Sequence, residues 1–91
     1  MAYSVASTAD YLYHLQTKGF SFGEETLGFI EFGKIYTASS DALVNVAIEI
    51  TLKAQFQFDG SFFIAILEML KEHHISNKKE AYKLFKSKKI L

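Results

Sequence analysis

The 91-residue chain contains no cysteine, no proline and no tryptophan, and all ten of its basic residues are lysine, because arginine is also absent. Without cysteine there can be no disulfide framework, zinc–thiolate site, iron–sulfur cluster or thiol nucleophile. Without arginine, planar two-bond recognition of carboxylate, phosphate or guanine is excluded, and any anion must be held by lysine acting as a point charge. The first eight residues, Met1 to Thr8, lack the basic region and apolar stretch of a secretory signal. The longest purely apolar run, Phe62 to Leu67, has six residues, against roughly 20 for a membrane-spanning helix. A cytoplasmic protein with no membrane partner is expected.

Half of the chain is nonetheless apolar: hydrophobic residues make up 49% and aromatic residues 15%, enough for a packed core. The length suits one domain, residues 1–91. A chain this short buries only about 60–65% of its unfolded surface, so a partner would add useful burial.

The hydrophobic pattern reads as a single all-α bundle of four to five short helices. Ser7 suits an N-cap for a first helix from about Thr8 to Lys18, with Tyr11, Leu12 and Leu15 on one stripe and Gly19 just past the end. Ser21 and Glu24 have capping-box spacing ahead of a second helix, Glu24 to Tyr36. Gly28 and Gly33 lie inside it, where glycine commonly marks the close approach of another element. From Val44 to Phe58 every even position is apolar, which is strand periodicity. The length of that run exceeds an ordinary strand. Ser39-Ser40-Asp41 is a good helix start, and Glu49 and Lys53 form an i,i+4 pair. A helix apolar nearly all round is favoured here; the alternative is an α+β fold with 29–36 and 44–58 paired as antiparallel strands. Asp59 or Ser61 can cap a helix from Phe62 to His74, and Asn77 with Glu80 a last one running toward Lys88.

The zero net charge conceals two unequal parts. Residues 1–70 carry three lysines and eight acids, a balance of −5, and residues 71–91 carry seven lysines and two acids, a balance of +5. On the last helix Lys78, Lys79, Tyr82, Lys83, Lys86 and Lys89 share one face, opposite Ala81, Leu84 and Phe85. This basic face could meet nucleic-acid phosphates through a helix-turn-helix-like pair, or an acidic protein surface, or only solvent. The lack of arginine argues against the first.

Eight phenylalanines crowd between Phe20 and Phe63. Most are core, but the total strains what one small core can hide. Phe20 and Phe22, with Phe56 and Phe58, stand beside turns and form the candidate apolar interface.

Enzymatic chemistry finds little support. The stretch Gly28-Phe29-Ile30-Glu31-Phe32-Gly33-Lys34-Ile35 approaches a phosphate-binding loop but has Ile where Ser or Thr must hold magnesium, and its interior is bulky. Asp10 and His14 at i,i+4 could form two ligands of a metal edge, but adjacent His73 and His74 point apart on a helix. No nucleophile–base spacing or paired-carboxylate signature is present. The expectation is a non-enzymatic interaction or regulatory protein without cofactor or metal, self-associating as a homodimer or binding another protein. Nucleic-acid binding through the terminal lysines is the alternative.

Overall fold

A computed structural model describes residues 7–91, so the reading of Met1 to Ala6 as free of a secretory pattern lies outside the described residues. Five helices follow in chain order: α1 (Thr8–Thr17), α2 (Glu24–Thr37), α3 (Asp41–Gln55), α4 (Gly60–Glu72) and α5 (Lys78–Ser87). There is no strand among the described residues, so the all-α reading holds and the paired-strand alternative for 29–36 and 44–58 is overturned.

The reason lies in where α3 sits. It touches all four other helices, and Val44, Val46, Ala47, Ile48, Ile50 and Thr51 on it are buried. Apolar side chains on nearly every side satisfy several neighbours at once, and an alternating sequence does so as well as a helical one. The polar residues Asn45, Glu49 and Lys53 fall at i, i+4 and i+8, which is a single row along the helix. The buried Thr51 hydroxyl donates to the Ala47 carbonyl at 2.7 Å, so this polar group in the core is satisfied within its own helix.

Four of the five helix starts are capped by side chains, each accepting from a backbone N–H three residues on. Ser7 accepts from Asp10 at 3.1 Å and Ser40 from Leu43 at 3.3 Å. Asp59 accepts from Phe62 at 3.0 Å and Asn77 from Glu80 at 2.9 Å. The expected capping box at Ser21 does not form. Gly23 occupies the N-cap of α2 without a side-chain bond, and Glu24 and Glu25 in the first turn compensate through the helix dipole. Helix α4 ends at Glu72, short of the expected His74, which instead takes a left-handed φ of 55°. Asp41 ion-pairs with Lys34 and accepts from the Thr8 N–H at 3.3 Å, joining the starts of α1 and α3 to the end of α2. That lysine, followed by the Thr8 bond, holds the Asp41 carboxyl below the usual carboxylate range.

The two glycines of α2 have opposite surroundings. A β-carbon at Gly33 would stand 2.9 Å from both Leu67 Cδ1 and Phe63 Cε2 of α4, so glycine is what lets α2 and α4 pack at this distance. At Gly28 a β-carbon would meet nothing within 4 Å. Close approach thus explains one glycine and not the other. Both lie well inside a regular helix, so the stretch from Gly28 to Lys34 is no phosphate loop.

Candidate interaction surfaces

Helix α2 buries Ile30, Gly33 and Thr37 against the bundle. At about 100° per residue the opposite side carries Gly28, Phe32 and Ile35, with Tyr36 and Phe29 on its flank toward α4 and the acids Glu24, Glu25 and Glu31 exposed around it. Phe29 is 37% exposed, Phe32 55%, Tyr36 60% and Ile35 69%. The Phe32 and Tyr36 rings stack at 5.4 Å between centroids and 9° between planes, which keeps both on the outer face. Phe29 lies over the start of α4, where a β-carbon on Gly60 would come within 2.8 Å of its ring. Tyr36 also lines a broad open cleft with Glu68, Lys71 and Glu72.

This face was missed at the sequence level because α2 is apolar on both sides. Its pattern announces burial without saying which side is covered. The signal that could have located it is the spacing of Gly28, Phe32 and Ile35, which runs opposite to Ile30, Gly33 and Thr37.

The expected apolar quartet does not form one surface. Phe58 packs on Phe63, 5.3 Å between centroids, and Phe22 is half-buried against the core, so neither is a free contact residue. Phe20 stacks on Phe22 at 6.4 Å and borders a small cleft of about 220 Å³ with Tyr11, Leu15, Glu49, Leu52 and Lys53. Phe20 is 41% exposed, and Phe56, the left-handed residue that ends α3, is 89% exposed.

The basic face of α5 is smaller than its sequence suggests. Ala81 and Phe85 are buried, as the amphipathic pattern requires. Tyr82, however, donates its hydroxyl to Glu49 of α3, and the Lys78 ammonium lies 3.1 Å from the same carboxylate. Lys53 approaches it from within α3 at 3.5 Å and lies 5.0 Å from the Tyr82 ring centroid. Burial pushes the Glu49 carboxyl up, but the Tyr82 and Lys78 hydrogen bonds and the lysine charges outweigh it, and the net effect is below the ordinary range. Burial, then the Glu49 charge, pushes the Tyr11 phenol up to about 12. Tyr82 is raised too, by burial first and by its bond to Glu49 second. Lys78 and Tyr82 therefore attach α5 to α3. Lys79, Lys83 and Lys86 remain exposed on the helix, while Lys89 lies past its end with a φ of 61°.

Among the described residues no three His, Asp or Glu side chains gather around a common point that could hold a metal ion. None of the described helices is long and apolar enough to cross a membrane. Residues 3–91 match the model of a family of unknown function, DUF6123, and the chain belongs to that family. No curated protein and no solved structure matches it.

Proposed function

We propose that this member of the DUF6123 family is a small non-enzymatic cytoplasmic interaction protein that self-associates, and that the contact surface is the outer face of α2. One observation carries the reading: four large apolar side chains exposed side by side on one helix of a 91-residue domain. With aromatic side chains of about 150–250 Å² each, these exposures leave about 400 Å² of apolar surface in water per copy. That is about half of the roughly 800 Å² that each partner contributes to a standard interface. An apolar centre of this size needs only an ordinary polar rim to complete it.

The other groups support a non-enzymatic role. Of the side chains with displaced pKa values, Lys34 and Asp41 pair with each other, and Tyr82 donates to Glu49, whose charge also raises Tyr11. Displaced values mark active sites when they face a cleft; Tyr11 and Glu49 do border the small cleft beside Phe20, but Glu49 is committed to Tyr82 and Lys78, which hold α5.

Light scattering at micromolar concentration tests the proposal. The wild-type chain is expected to be a dimer and Phe32→Asp a monomer, because an aromatic hot spot at the centre of an interface is worth about 2 kcal/mol or more and a homodimer loses it twice. A wild-type monomer would refute self-association. A dimer that survives Phe32→Asp would move the contact off α2.

A further inference from the structure

Glu25, Gly28, Phe32 and Ile35 are spaced 3, 4 and 3 residues apart, the a/d rhythm of a coiled-coil seam, with Phe29 and Tyr36 flanking it. Glu25, Gly28, Phe29 and Phe32 surround a shallow hollow of about 260 Å³ on this face. Those four positions, i, i+3, i+4 and i+7, form the four-residue hole into which a facing helix inserts a knob. Gly28 is its floor, with open space where a side chain would stand. The volume is below the roughly 300–1,000 Å³ of small-molecule pockets and suits one side chain. The outstanding knob of the same seam is Phe32, held upright by its stack on Tyr36.

We infer that a second copy of this chain docks antiparallel along α2, each Phe32 entering the hollow over Gly28 of the other copy. The inference rests on the self-association proposed above and adds the residues and direction of the contact. A parallel pairing would set Gly28 against Gly28, leaving a void, and Glu25 against Glu25, placing like charges across the seam. It would also align the two helix dipoles. The antiparallel pairing opposes the largest knob to the deepest hole. It lays Ile35 and Tyr36 of one copy over the first turn of the other, where the Tyr36 hydroxyl can donate to Glu24 or Glu25.

The chain's lack of cysteine makes the direction measurable, because introduced thiols are the only ones present. Glu25→Cys and Ile35→Cys are prepared separately; both sites are exposed, so neither touches the core. Oxidised as a mixture, the two variants should form a mixed disulfide dimer at least several-fold faster than either forms a disulfide with itself. Faster self-linkage of Glu25→Cys would reverse the direction and overturn the inference. A dimer by light scattering that gives no mixed product would overturn it while leaving self-association standing. A monomeric wild-type chain would remove both.

Discussion

Replacing Gly33 and, separately, Gly28 by alanine measures how tightly α2 is seated on α4. Both glycines lie inside the same helix, and alanine at either gains about 0.8–1 kcal/mol of helix propensity. At Gly28 nothing opposes the gain, since the new methyl group enters open space. At Gly33 the methyl group would arrive 2.9 Å from Leu67 and 2.9 Å from Phe63, whose side chains are fully buried. Forcing an extra carbon into a packed core costs about 1–3 kcal/mol. The propensity gain cancels between the two variants, so their difference isolates the packing term. In a domain of this size each kcal/mol moves Tm by about 4–8 °C, so Gly33→Ala should melt at least about 4 °C below Gly28→Ala. Thermal melts followed by circular dichroism are sufficient. They should be run at two low protein concentrations, because association makes Tm depend on concentration and Gly28 lies on the proposed contact. An equal rise in Tm for both variants would refute the close seating of α2 on α4.

The remaining predictions concern the polar contacts. Glu49→Gln should destabilise the fold by about 1–2 kcal/mol at neutral pH, because charge-assisted bonds from Tyr82 and Lys78 are weakened; urea unfolding measures it. Because the folded carboxyl of Glu49 titrates below its unfolded value, its contribution is present above about pH 4.5 and fades as pH falls through the folded value. The acid limb of a Tm–pH profile should therefore flatten in Glu49→Gln. Tyr11 and Tyr82 bind their protons more tightly when folded, so their contribution is present below about pH 10 and is lost as pH rises toward 12. Ultraviolet titration should show two phenols that ionise only as the pH approaches 12, and complete ionisation of the chain's phenols near pH 10 would contradict the burial. Lys79→Glu, Lys83→Glu and Lys86→Glu combined should leave the dimer intact by light scattering, since none lies on α2. If wild-type protein bound DNA or RNA in a salt-dependent way and this variant did not, the function would belong to the lysine face instead.

The helices were legible because their signals were local. Ser7, Ser40, Asp59 and Asn77 stand where caps belong, and the apolar stripes follow at helical spacing. The strand-like alternation of α3 was ambiguous in principle, since a helix buried on all sides imposes no single period. The contact surface was hidden for a related reason. Apolar residues on both sides of α2 look alike in sequence, and only the seating of Gly33 on Leu67 and Phe63 decides which side stays in water. Phe22 and Phe58 were misplaced because a turn's direction is set by the elements it joins. The basic face shrank because Glu49, far from Lys78 and Tyr82 in sequence, is brought to them by the packing of α5 on α3. Each failure lies in tertiary placement.

The central position of α3 also bears on how quickly the chain finds its fold. Its residues stand midway along the sequence, so no other helix has to close a loop longer than half the chain to reach it. Loops of that length cost little entropy, and helical proteins with such short-range topology fold in microseconds to milliseconds. A nucleus built on α3 and its two neighbours would place α1 and α5 late on the pathway. Core truncations in α3 should then slow folding, while cutting the contacts of α5 to Glu49 should chiefly hasten unfolding.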